Sequence, residues 1–179
     1  MTIKNFTTQT SKKTIISRLC YTHSVHKPFY VSGFLYHLIS QQILLRQSHI
    51  GTNPLSTWNM FGGISRQGED APTALQRILY EQLNIRIEAK NLFPVYDYFY
   101  QALNKIHYVF YVKVKKLYAP ASLSDGVCSW FTFKQTTKLS LAEQAKHDVI
   151  ISERVINAQA KSLEPAIPTP SGQYPSLSH

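Results

Sequence analysis

The double glycine Gly62-Gly63 leads, through five residues and Glu69, into a segment with every mark of an amphipathic helix. No other part of the chain constrains the fold as much, because it joins a backbone that can be approached closely to an element of defined length and face. Asp70 can accept from the free N–H groups of a first turn, and Pro72 is tolerated there because that N–H would have no partner. Asn84 takes up the left-handed conformation that ends a helix. Between them Ala71, Ala74, Leu75, Ile78 and Leu79 form an apolar stripe. The spacing predicts a helix from Asp70 to about Asn84 with one buried face.

The flanks of this helix read mainly as strands. Tyr30 to Ile39 and Gln42 to Arg46 are rich in aromatic and branched residues, and the polar Ser40 and Gln41 between them suit a hairpin. His49 to Trp58 carries Gly51, Asn53 and Pro54 and reads as a loop. Val95 to Gln101 and His107 to Lys115 form a second expected antiparallel pair across Asn104 and Lys105, and Trp130 to Phe133 is a further candidate strand. Ser140 and Glu143 have capping-box spacing, and Val149, Ile150, Val155 and Ile156 recur at helical spacing, which places a second helix within 140–160. Strands, a helix, more strands and a closing helix fit an α+β or layered α/β/α domain better than a doubly wound one.

Composition bounds the setting. With 179 residues, 44% of them hydrophobic, the chain can bury one core, expected over 28–161. Residues 1–27 are expected to form a basic arm, and the Pro-rich segment 162–179 a disordered tail. The net charge of +9 is uneven, since no Asp or Glu precedes Glu69 while Lys4, Lys12, Lys13, Arg18, Lys27, Arg46 and Arg66 do. Such a surface draws polyanions, nucleotides or RNA among them, or it is a solvated face that aids solubility. An acid-free, Ser/Thr-rich start also suits a transit peptide, but no cleavage signal accompanies it. Cys20 and Cys128 have no paired spacing and the apolar stretch from Phe29 to Leu44 is interrupted by polar residues, so a cytoplasmic protein without a membrane span is expected.

The stretch from Trp58 to Ile85 resembles the Nudix box of the MutT-like Nudix hydrolase superfamily. That pattern is Gly, five residues, Glu, seven residues, then Arg-Glu-aliphatic-any-Glu-Glu-any-Gly-aliphatic. Gly63, Glu69, Arg77, Leu79, Glu81 and Ile85 stand at their places, and Trp58 and Gly62 match what commonly precedes the box. Ile78 replaces the Glu after the Arg, Gln82 the second Glu of the pair, and Asn84 the Gly; Phe61 stands where Pro is usual. The resemblance implies an α/β/α sandwich around a mixed, mainly antiparallel sheet. It also implies hydrolysis of a nucleoside diphosphate linked to another group.

In the family, positions 78, 81 and 82 share one helix face and hold Mg or Mn against the diphosphate. The resemblance therefore implies Glu81, Gln82 and the replaced position Ile78 as catalytic positions. Glu81, the Gly63 carbonyl and a distant acid are the implied metal contacts, with Asp125 the first candidate for that acid and Glu143 and Asp148 behind it. Gly62, Gly63, Glu69 and Arg77 would form the phosphate loop and its brace. With one carboxylate left on the face, two readings stay open: a weak Mg-dependent hydrolase, or an inactive module that binds a nucleotide, RNA or a protein. Tyr96, Tyr98 and Tyr100 alternate on one strand face, Tyr108 and Phe110 alternate on the next strand, and such aromatic faces could stack bases; packing against a helix is the preferred reading. The seven His residues show no zinc-ligand spacing.

Overall fold

The computed structural model describes residues 27–48, 57–118, 122–123 and 126–163. Residues 1–26 of the basic arm, the loop at 49–56, Asp125 and the tail from 164 lie outside the described residues. Strands β1 (Tyr30–His37) and β2 (Gln42–Ser48) form the expected hairpin, turned at Gln41 with φ 53°. Two short strands that the sequence reading did not contain follow, β3 (Trp58–Asn59) and β4 (Phe61–Ile64). Helix α1 (Ala71–Leu83) comes next, then β5 (Leu92–Tyr100) and β6 (Lys105–Val114) as the second antiparallel pair. The short β7 (Ser122–Leu123), β8 (Gly126–Thr132), a single turn α2 (Phe133–Thr136) and the long α3 (Glu143–Leu163) complete the described chain.

The eight strands form one sheet with the path β5-β6-β1-β2-β8-β7, β4 pairing β1 and β3 pairing β2. Among the described strands only β1 and β6 run parallel, which makes the sheet mixed and mainly antiparallel. Side-chain alternation divides the core into two layers. Val31, Leu35, Phe110 and Val112 pack with Ala74, Leu75, Ile78 and Leu79 of α1. Phe34, Tyr36, Val109 and Tyr111 pack with Val149 and Ile156 of α3. Helices on both faces of one sheet make the α/β/α sandwich.

Local chemistry accounts for most boundaries. Asp70 accepts from Thr73 N at 2.8 Å, Pro72 sits in the first turn, and Asn84 is left-handed at φ 54°, as the sequence predicts. Helix α3 departs from the reading: it starts at Glu143, where Ala142 accepts its first backbone bond from Lys146, and it runs to Leu163. Ser140 instead uses its carbonyl to accept from Trp58 N, because β3 needs that partner. The capping box belongs to α2, between Thr132 and Gln135. Pro94, which has no N–H for a ladder, is accommodated at a bulge of the edge strand β5.

The two helices dock differently. On the α1 side, Gly33 of β1 allows close approach, since a Cβ there would stand 2.8 Å from the Phe110 carbonyl oxygen and 3.0 Å from Leu75 Cδ2. On the α3 side the contact is polar at one end. Buried Asp148 accepts at one oxygen, Oδ1, from Tyr96 Oη at 2.5 Å and from Gln144 Nε2 at 3.1 Å. Gln144 also donates to Tyr98 Oη. The proton of Tyr98 goes to its nearer partner, His107 Nδ1 at 2.5 Å, so Nε2 of His107 donates to Ser32 Oγ at 2.7 Å. The tyrosines therefore pack against a helix, with Tyr96 and Tyr98 stacked at 5.2 Å.

Burial drives the titrations of this network in opposite directions. It pushes the His107 imidazole down to about 4. It raises Asp148 against the lowering effect of the hydrogen bonds from Tyr96 and Gln144. A depressed His contributes stability that is present above its unfolded value and lost as pH falls toward 4, whereas a raised Asp contributes stability lost as pH rises. Asp148→Asn should therefore uncover the His107 slope, with unfolding free energy falling by about 2 kcal/mol between pH 7 and 4.5. His107→Gln should remove that slope; urea titrations at the two pH values measure both. Gly33→Ala should destabilise by about 1 to 3 kcal/mol through overpacking, read from the same titration at pH 7.

Candidate active site

Strand β4 carries the double glycine alongside β1, with Ser32 opposite Gly62 and Val31 opposite Gly63. Gly62 has no room for a side chain, and Gly63 only a tight fit. A Cβ on Gly62 would lie 2.8 Å from Tyr30 Oη and 2.9 Å from the Val31 carbonyl oxygen, and one on Gly63 would lie 3.1 Å from Ile78 Cδ1. Phe61, in the place where Pro is usual, is a ladder residue opposite Gly33 and is fully buried. The loop that follows turns at Gly68, whose φ of 80° suits glycine, and delivers Glu69 to the start of α1.

Glu69 and Arg77 meet as a bidentate pair, Nε to Oε1 at 2.6 Å and Nη2 to Oε2 at 2.8 Å. Their side chains are 14% and 17% exposed. Glu69 also accepts from the backbone N of Arg66 at 2.7 Å, and Arg77 donates to the Ile64 carbonyl at 3.1 Å. One ion pair thus ties the end of β4, the loop and the second turn of α1 together. The Arg77 hydrogen bond holds the Glu69 carboxyl below the usual range despite burial, and Glu69 in turn raises Arg77.

Farther along α1 the three positions of the implied metal face are occupied differently. Ile78 is buried against Gly63 and belongs to the core on that side of the sheet. Glu81 is engaged at both oxygens, by Arg66 Nη2 at 2.9 Å and by Arg77 Nη1 at 3.1 Å. Gln82 donates Nε2 to the Gly62 carbonyl at 3.2 Å, and its buried Oε1 has no partner among the described residues. The opposite amide orientation would set two oxygens against each other.

This donor set does not fit a divalent cation. Mg and Mn require several oxygen ligands, preferably anionic, and the face presents a hydrocarbon, an amide N–H and a carboxylate already shared by two guanidinium groups. Among the described residues no group of three or more His, Cys, Asp or Glu side chains could hold a metal. Asp125 lies outside the described residues. Glu143 is exposed at the start of α3, and Asp148 is buried against the tyrosines of β5 on the other face of the sheet. Neither is brought to α1. Conversely, the structure joins Arg66 to Glu81, which no spacing rule announces because one lies in a loop and the other three turns into a helix.

The comparisons bear on this geometry. The family model of the NUDIX domain matches residues 31–152. No curated protein sequence matches the chain. Among solved structures, the NUDIX domain of Shewanella oneidensis NrtR, in complex with ADP ribose, is 15% identical with a TM-score of 0.55, covering 72% of this chain and 87% of its own. The Escherichia coli dihydroneopterin triphosphate pyrophosphohydrolase is 16% identical with a TM-score of 0.54, over 72% of this chain and 95% of its own. A protein of Listeria monocytogenes described as a Nudix hydrolase is 15% identical with a TM-score of 0.56, over 74% and 97%. At such identities the structural likeness establishes the fold, and the family model covers nearly all of the sheet, the glycine loop, the brace, α1 and the first half of α3, so the chain belongs to the Nudix family.

Proposed function

We propose that this domain binds a small diphosphate-containing nucleotide without hydrolysing it by the metal-assisted route that the box implies. The observation that carries the reading is the α1 face: Ile78 packed on Gly63, Glu81 held by Arg66 and Arg77, and Gln82 turned onto the Gly62 carbonyl. The loop that would cradle phosphates and its Glu69–Arg77 brace are kept, while the groups that would hold Mg or Mn are not. Retention of the cradle with loss of the metal ligands is the pattern expected of a binding module. The ligand class is carried over from the Shewanella domain, which was solved with ADP ribose. The excess of positive charge, +9 over the chain, suits an anionic ligand.

Among the described residues no helix is long and apolar enough to cross a membrane. A cytoplasmic location is part of the proposal. The weak hydrolase remains the competing reading, and it requires an acid such as Asp125 to reach the site.

A panel of ADP ribose, nucleoside diphosphate sugars and dinucleoside polyphosphates, assayed with Mg, with Mn and with EDTA, tests the reading. Binding should persist in EDTA and no phosphate product should appear; turnover in Mg or Mn would overturn it. A second test rebuilds the lost face. Ile78→Glu with Gln82→Glu should create a three-carboxylate site that binds Mn more tightly than the parent, and neither change alone should suffice. Without metal the double variant should lose about 1 to 3 kcal/mol of apolar burial, and added Mn should raise its melting temperature. Calorimetry with and without Mn decides between these outcomes.

A further inference from the structure

The implied metal-binding carboxylate is already paired with a cation, and that cation is on the chain itself. Arg66 places Nη2 2.9 Å from Glu81 Oε1, while its side chain remains 66% exposed. We propose that Arg66 stands in for the divalent metal as the group that receives the phosphates of the ligand, an inference that rests on the metal-free binding reading above. A guanidinium carries five N–H donors in a planar fork that matches phosphate oxygens, and the bond to Glu81 uses one edge of it. The rest of the fork is open to solvent.

Arg77 cannot take this role. Nε and Nη2 are committed to Glu69, Nη2 also to the Ile64 carbonyl, and Nη1 to Glu81, in a side chain only 17% exposed. Arg66, in contrast, is positioned at its backbone, where N donates to Glu69 Oε2 and O accepts from Glu69 N. The carboxylate that braces Arg77 therefore also fixes the stem of Arg66, which reduces the ordering cost of binding. The charges of Arg66 and Arg77 balance those of Glu69 and Glu81, so the face needs no metal to relieve repulsion, unlike one with three carboxylates. An incoming phosphate exchanges with Glu81 at one guanidinium.

The test is a set of binding titrations on the full chain in EDTA with ADP, inorganic pyrophosphate and adenosine as probes. Arg66→Ala and Arg66→Gln should weaken ADP and pyrophosphate by about tenfold or more, the loss expected for a charge-assisted hydrogen bond, and leave adenosine unchanged. Arg66→Lys should recover part of the loss, and the salt dependence of ADP binding should flatten in the Ala variant. Urea midpoints matched to the parent establish that the variants are folded. If both neutral variants bind ADP as the parent does, the role of Arg66 is overturned while metal-free binding stands. If ADP binds only with Mn, or none of the phosphate probes binds, the reading beneath it falls and this inference falls with it.

Discussion

The ion pair between Glu69 and Arg77 is the contact on which the arrangement of this site depends. It spans eight residues of sequence and joins three pieces of backbone: the end of β4 through the Ile64 carbonyl, the loop through Arg66 N, and the body of α1. The pair is partly buried, so removing one partner leaves the remaining charge short of compensation. Stability is the smaller part of its role here. The pair determines where the loop sits relative to the helix, and so where the glycine carbonyls, Arg66 and Glu81 lie with respect to one another.

That frame leaves a choice for the side chains along α1, and this chain has chosen hydrocarbon and amide. Ile78 extends the stripe of Ala71, Ala74 and Leu75 and seals the helix onto Gly63. Gln82 adds a direct hydrogen bond from α1 to the Gly62 carbonyl of the glycine strand. On the far face of the sheet the logic is reversed, since α3 is tied at one end by a polar network of Asp148, Gln144, two tyrosines, His107 and Ser32. In such a buried network each proton has an assigned place, and an oxygen such as Asp148 Oδ2, which has no partner among the described residues, is expensive.

Much of this was legible in the residues. The helix bounds follow from Asp70 and Asn84 because capping and the left-handed stop are local chemistry, decided within a few residues. The hairpin at Gln41 and the turn at Asn104 follow from composition for the same reason. Strands β3 and β4 were not legible, since Trp-Asn and Phe-Gly-Gly-Ile have weak local preference. They become strands because β2 and β1 offer unpaired edges to them. The capping-box spacing of Ser140 and Glu143 does not mark the start of α3, because that spacing is local, whereas the Ser140 carbonyl is claimed by Trp58, more than eighty residues away.

The sequence by itself determined the spacing of Gly63, Glu69 and Arg77, the buried stripe of α1, and the replacement of two carboxylates at positions 78 and 82. Those are consequences of helical periodicity, which a linear pattern contains in full. Only the tertiary structure decided what the one remaining carboxylate does. Glu81 lies one helical turn beyond Arg77 and fifteen residues beyond Arg66, and whether it meets a guanidinium or faces open cleft depends on how the loop folds back over the helix. The same holds for Asp148, whose place on a helix was readable but whose burial against Tyr96 and Tyr98 was not. Contacts between residues distant in sequence arise from packing both layers on one sheet, and no short-range rule encodes that.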